Sequence, residues 1–356
     1  MKRDRRLANL LIGLLMFLAA CQPDVSGKVV REPLALAAGY YGPVMWLSEE
    51  RLLVFYRGTW DYLEYPSNVR GEVRLESDPR CTLQTVYLAP EVLPDGRLGL
   101  VKDCVSLRPQ EPPAIGGHER YLVAYDWQSQ TVEQIVAGPL PTTQAAAFSW
   151  NPDMTRGVQA LAGLLGTLYW LTPAGYEPME VTVGEGARSW SLAENLRILL
   201  SPDADVQLHK RDVGIADNPS WSPDGGTIAF FASTAAINRS GPSRGDGEYH
   251  LYLMDPVELR PEPALGKVYY PSFLAWSPDS RWLAFLGRAG ALRASGLWLF
   301  NPEDNELELI EAGEILDATW SPDGTQLAVT RCGATGCENA EVFRYDVSAL
   351  VGHEQG

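Results

Sequence analysis

A pentapeptide that returns along the chain constrains the fold more than any other feature. It reads Trp221-Ser222-Pro223-Asp224-Gly225, Trp276-Ser277-Pro278-Asp279-Ser280 and Trp320-Ser321-Pro322-Asp323-Gly324, and an apolar stretch follows each copy: TIAFF, WLAFL, QLAVT. Weaker copies stand at Trp46, Trp150 (Trp150-Asn151-Pro152-Asp153) and Trp190, and Val92-Leu93-Pro94-Asp95-Gly96 carries Val in the Trp position. Pro sets φ at the second position of a turn, Asp accepts hydrogen bonds from nearby backbone N–H groups, and Gly accepts positive φ. Each copy is therefore expected to be a hairpin turn between two strands. The Trp before it is expected in the core, where one sheet packs on the next.

The seven positions are on average about 46 residues apart, the length of one four-stranded blade of a β-propeller. At 46% apolar residues the chain can bury a large core. An all-β chain of 356 residues can also be a single domain. The third strand of each unit is an aromatic-rich alternation: WDYLEYP, YLVAYD, TLYWLTP, HLYLMDP, GLWLFNP and EVFRYD. Fourth strands follow as TVEQIVAG, EPMEVTV and ELELIEAG. The fourth unit is stunted, because only 31 residues separate Trp190 from Trp221 and VQLHKRD must serve as its third strand. Too little chain follows Asp346 for a last strand. The reading is an all-β, seven-bladed propeller over residues 30–348, with residues 30–37 supplying the missing outer strand of the last blade and removing an open edge.

Trp-Ser-Pro-Asp-Gly followed by x-x-Ile/Leu-Ala-Phe/Val resembles the TolB-like β-propeller repeats of exported bacterial proteins, over about residues 28–350. Such repeats also stand beside prolyl-oligopeptidase-type hydrolases. Oligogalacturonate lyases, similar to this repeat group, hold a metal through several His on the propeller face, which makes His118 and His250 the residues to examine for that role.

Residues 1–6 are basic, and an apolar run through Ala20, broken only by Asn9, ends in Leu18-Ala19-Ala20-Cys21. A short apolar segment behind basic residues is an export signal, and about 14 residues fall short of the ~20 that span a bilayer. The ending resembles the lipobox of bacterial lipoproteins, which implies cleavage before Cys21 and a diacylglyceryl lipid on its thiol. The alternative is an ordinary cleaved signal with an incidental Cys. Domains are thus expected at 1–20 (signal), 21–29 (anchor and linker), 30–348 and 349–356 (tail), on the outer side of a bacterial membrane. Four cysteines remain: Cys81, Cys104, Cys332 and Cys337. Three pairings are open, and the one that joins neighbours is Cys81 with Cys104 and Cys332 with Cys337.

Acidic residues outnumber basic ones by 45 to 29, a net charge of −16, so there is no basic footprint for nucleic acid or for an anionic membrane surface. Neither a Gly-x-Ser-x-Gly elbow nor a phosphate-cradling Gly-rich loop is present. Length varies mainly between the second and third strands of each unit, and such loops emerge on one face of a propeller, where function concentrates. Binding-face candidates are His118, Arg120, Arg239, Arg244, Asp246 and His250. The expected function is binding of an envelope protein or peptide, with no cofactor beyond the lipid. The alternative is a metal-dependent glycan lyase or hydrolase at the channel mouth.

Overall fold

The computed structural model describes residues 29–34, 42–56, 59–64, 67, 69–106, 117–127, 129–140, 147–160, 168–179, 213–235, 237–238, 241–242, 248–291, 293–333 and 336–352. Nearly all of them are strand or tight turn. After a short strand β1 (Val30–Pro33), the chain builds antiparallel four-stranded sheets in sequence order. Blade I holds β2 (Val44–Ser48), β3 (Arg51–Tyr56), β4 (Thr59–Glu64) and β5 (Val69–Glu72). Blade II holds β6 (Gln84–Val92), β7 (Leu98–Ser106), β8 (Gly117–Asp126) and β9 (Thr131–Gln134). Blade III holds β10 (Phe148–Trp150), β11 (Gly157–Ala160), β12 (Leu168–Thr172) and β13 (Gly175–Pro178).

Blade IV opens with β14 (Val213–Trp221) and β15 (Ile228–Ala235), followed by a small ribbon of β16 (Ile237–Asn238) and β17 (Gly241–Pro242) and then by β18 (Glu248–Met254). Its outer strand is the first part of β19 (Pro261–Trp276), whose second part is the inner strand of blade V. Blade V continues with β20 (Leu283–Ala289), β21 (Ala294–Asn301) and β22 (Glu306–Ala312). Blade VI holds β23 (Ile315–Trp320), β24 (Gln326–Gly333) and β25 (Gly336–Asp346), and β1 pairs antiparallel with β25, Val30 opposite Asp346. A single helical turn, α1 (Ser348–Val351), follows.

The repeated pentapeptide forms the turn between the first and second strands of its blade. In all three full copies the Ser hydroxyl donates to the Asp carboxylate, at 2.6, 2.5 and 2.5 Å, while that carboxylate accepts the N–H two residues on. The same hydroxyl accepts the N–H five residues on, from Thr227, Trp282 and Gln326. The residue after Asp is left-handed throughout: Gly96, Gly225 and Gly324 have φ of +82°, +79° and +71°, and Met154 and Ser280 hold that conformation without glycine's freedom. Ser and Asp thus satisfy backbone donors of the turn locally, and in the first copy the Asp224 N–H also donates to Ser280 Oγ of the next blade at 3.0 Å.

Side chains alternate across each strand, so every blade buries both faces. Leu53 and Trp60 of blade I pack on Leu98, Leu100 and Tyr125 of blade II. Val101 and Leu122 of blade II meet Phe148 and Trp150 of blade III. Trp170 of blade III meets Trp221 and Phe230 of blade IV, Phe231 of blade IV meets Phe285 of blade V, and Leu299 of blade V meets Trp320 and Val329 of blade VI. Ala328 and Val342 of blade VI pack on Val44, Trp46 and Leu52 of blade I. Each fully buried aliphatic or aromatic side chain contributes roughly 1.5–3 kcal/mol. Small antiparallel sheets packed face to face in succession are a β-propeller.

The seven units expected from the sequence are not met among the described residues, where six are found. Trp190 and the VQLHKRD strand belong to residues 180–212, outside the described ones, and blades III and IV on either side of that segment pack directly on each other. The Trp170 and Trp221 rings lie 5.9 Å apart, and Trp221 N–H donates to Ser149 Oγ at 3.0 Å. The turn glycine Gly225 sits against Pro152 of blade III as Gly324 sits against Pro278 of blade V, so the step from III to IV is the same as the step from V to VI. Strand β13 also starts two residues before the expected EPMEVTV.

Candidate functional site

The pentapeptide turns lie at one end of the blades, and the loops between second and third strands lie at the other. Among the described residues, an assembly of buried charge stands at that loop end of blade II. Asp103 on β7 and Arg120 on β8 are direct cross-strand partners, both under 9% exposed, with Arg120 Nη2 donating to Asp103 Oδ2 at 2.8 Å. His118, two residues before Arg120 and so on the same face, places Nδ1 3.2 Å from each oxygen of that carboxylate. Half of its ring is exposed. With Nδ1–H donating to Asp103, Nε2 is left to accept a hydrogen bond.

The other face of the same strands carries a second cluster. Lys102 Nζ donates to Asp78 Oδ2 at 2.6 Å, and Arg80 grips Asp78 with Nε and Nη2. Arg80 first and Lys102 second hold the Asp78 carboxyl well below the usual carboxylate range. Cys81 and Cys104 are joined by a disulfide that ties the Asp78 segment to β7, and Cys332 is joined to Cys337 at the loop end of blade VI. The candidates His118 and Arg120 are therefore brought together on one carboxylate, which the sequence alone did not single out: Asp103 is an ordinary acidic residue until β7 and β8 are paired.

His250 lies on β18 of blade IV, its ring 6.3 Å from Tyr252 and against Gly266, with blade III between it and His118. Arg239, Arg244, Asp246 and Cys21 lie outside the described residues. Trp46, Trp150, Trp221, Trp276 and Trp320 are all buried, as a packing role requires, and Asp224, Asp279 and Asp323 all hold turns. Among the described residues the one grouping with metal-ligand spacing is Glu314 with Cys332 and Cys337, but those two sulfurs are bonded to each other and offer no thiolate.

A second polar locus lies at the inner strands. Asp317 on β23 accepts the Val44 N–H of blade I at 2.9 Å. Burial pushes its carboxyl up to about 7 against the backbone hydrogen bonds from Val44 and Ala318. A shift in register at Leu88–Glu91 of β6 brings in Glu91, pushed up to about 8 by burial first and by the charge of Asp317 second. Both residues are half-buried. Blades II and VI are separated by blade I, so these carboxyl groups approach one another where the inner strands converge. Two acids whose environments raise them above ordinary values can hold and release a proton near neutrality.

No protein-family model and no curated protein matches the chain. Solved structures similar to it include TolB from Acinetobacter baumannii, at 12% identity and a TM-score of 0.49, covering 97% of this chain and 70% of that one. An oligogalacturonate lyase in complex with manganese is similar at 12% identity and 0.47, covering 89% and 90%. A puromycin-hydrolyzing peptidase of Mycobacterium tuberculosis is similar at 14% identity and 0.49, covering 89% of this chain and 43% of that one.

Proposed function

We propose that this chain is a lipid-anchored, extracytoplasmic β-propeller that binds an envelope protein or peptide through its loop face. In this reading the lipid is carried by Cys21 after removal of residues 1–20. The blades close into a ring at the junction of blades VI and I, with β1 as the outer strand of the last blade. Among the described residues, Val44 and Trp46 of blade I pack on Ala328 and Val342 of blade VI, which supports this closure.

The observation that carries the binding role is the Asp103–His118–Arg120 array. It is preassembled: the carboxylate already has its partners, the strands that hold it are pinned by Cys81–Cys104, and one ring nitrogen is left to accept a hydrogen bond. Both described bonds of His118 run to Asp103, so the arrangement orients a recognition group without activating a hydroxyl or thiol. The test is a pull-down from detergent-solubilised envelope with the full chain, the Cys21→Ser chain and the His118→Ala chain. The same protein recovered with the wild type and depleted with His118→Ala is the expected result, and Cys21→Ser is expected to leave the membrane fraction. Recovery of nothing reproducible would sink the proposal.

Glu91 and Asp317 favour a second reading, a glycan lyase or hydrolase acting where the inner strands converge. One raised carboxyl as acid and another as base is the usual requirement for glycoside cleavage. Turnover of an acidic oligosaccharide that disappears in Glu91→Gln, together with metal analysis of the purified chain, separates this reading from the first.

A further inference from the structure

The loop end of blade V carries an exposed group of basic and aromatic side chains on an otherwise acidic protein. Strand β19 passes there from blade IV to blade V, and its register breaks between Tyr269 and Phe273. The break turns Tyr270 outward, 60% exposed and at a positive φ of 53°. Lys267 and Arg293 beside it also have positive φ, at 58° and 50°, conformations that side-chain-bearing residues rarely adopt and that cluster at working surfaces. Arg288, opposite Tyr269 across the β19–β20 pair, lays its guanidinium 5.6 Å from the Tyr270 ring, and Arg293 lies 4.7 Å from the Tyr269 ring.

Eight other arginines hold a carboxylate. Arg288, Arg293 and Lys267 hold none among the described residues, although the chain has 45 acidic side chains from which to draw one. His250, a binding-face candidate, borders the group through Gly266.

We infer that this surface is the docking site for an acidic segment of the protein partner, an inference that rests on the proposed loop-face binding role. Three cations without acidic partners complement carboxylates, and the planar guanidinium fork matches a carboxylate with two parallel hydrogen bonds. Arg and Tyr held rigid at the centre of an exposed patch is the composition of protein-binding hot spots. A glycan fits less well, because sugar stacking needs open ring faces: Tyr269 is buried, and each ring already carries a guanidinium. Anionic lipid is disfavoured by the net charge of −16, which repels an extended anionic surface while leaving a short segment free to reach the patch.

Fluorescence anisotropy of the full chain in detergent tests this, with a labelled decapeptide of alternating Glu and Ala, its Lys counterpart and a decameric oligogalacturonate. The acidic peptide should bind and the Lys peptide should not. Affinity should fall at least tenfold in Arg288→Glu/Arg293→Glu and three- to tenfold in Tyr270→Ala, and should weaken between 50 and 300 mM salt. These side chains are exposed or half-stacked, so unchanged circular dichroism is expected to exclude unfolding. No binding of the acidic peptide, equal binding by wild type and the double variant, or capture of the oligogalacturonate in place of the peptide would overturn the inference. Loss of peptide binding in His118→Ala but not in the blade V variants would overturn it while leaving the loop-face role standing. An envelope pull-down that recovers nothing while the peptide still binds through Arg288 and Arg293 would do the reverse.

Discussion

Trp320 donates its indole N–H to the carbonyl oxygen of Ala275, 3.3 Å away and 45 residues earlier in the chain. Trp276 does the same to Ser220 at 3.2 Å, across 56 residues. Each accepting residue immediately precedes the Trp of its own blade, so each of these two repeats latches its Trp onto the repeat before it. The side chain also fills the gap between blades. Trp320→Phe should keep most of the packing and lose the hydrogen bond, costing about 1 kcal/mol. Trp320→Ala should cost roughly 3–5 kcal/mol by opening a cavity. Urea unfolding at constant m-value measures both, and an unchanged stability in Trp320→Phe would contradict the latch.

Asp103 is the shared partner of a buried Arg120 and a half-exposed His118. Removing the carboxylate leaves the Arg120 guanidinium desolvated without its acidic partner, so Asp103→Ala should destabilise the chain by roughly 3–5 kcal/mol. His118→Ala removes only an exposed arm of the cluster and should cost no more than about 0.5 kcal/mol. Chemical denaturation of the two variants decides this, and a large stability loss in His118→Ala would mean that the ring is structural.

Much of this fold was legible because the turn motif carries its own hydrogen bonds. Ser321, Asp323 and Gly324 satisfy their turn locally, so the same letters mean the same turn wherever they occur. Strand β1 was legible through a deficit, since EVFRYD had no following strand and residues from 30 had a matching pattern. The number of blades rests on the weak copy at Trp190, which lies outside the described residues, among which six blades are found. His118 and Arg120 were named from the sequence as binding-face candidates. Asp103, Glu91 and Asp317 were not, because their roles come from cross-strand pairing and from the meeting of blades I, II and VI, which no local pattern encodes. Arg288 and Tyr270 escaped for a related reason: what marks them is the acidic partner they lack and the backbone that turns them outward.

The inner carboxyl groups give stability a definite pH dependence. An unfolded Glu91 releases its proton near 4.5, whereas the folded chain holds it to about 8. Between those values the native state binds more protons than the unfolded state, so stability falls as pH rises. Asp317 acts in the same sense up to about 7. Glu91→Gln should therefore match the wild type at pH 4 and exceed it by up to roughly 4 kcal/mol at pH 8.5. Urea unfolding at pH 4, 6 and 8.5 checks the difference, and parallel curves for the two proteins would show that Glu91 is hydrated in the native state.

Strand β1 is held by more than its ladder. Arg31 lies 3.8 Å above the Phe343 ring and reaches Glu311, Arg344 pairs with Glu32, and Leu34 N–H donates to the Val342 carbonyl at 2.9 Å. Deleting residues 30–34 should cost roughly 3 kcal/mol, about the value of the lost hydrogen bonds. It should also uncover the edge of β25, giving association that grows with concentration in size-exclusion chromatography. A monomer of unchanged melting temperature would show that blade VI does not need this strand.

Site-specific photo-crosslinking in intact membranes puts the loop-face role to the most direct test. A crosslinking residue would stand at Glu119 or Ser295 on the loop face and at Asp153 or Glu303 on the opposite face. The account predicts one envelope protein trapped from Glu119 and Ser295 and none from Asp153 or Glu303. Adducts from the opposite face alone, or from neither, would contradict it.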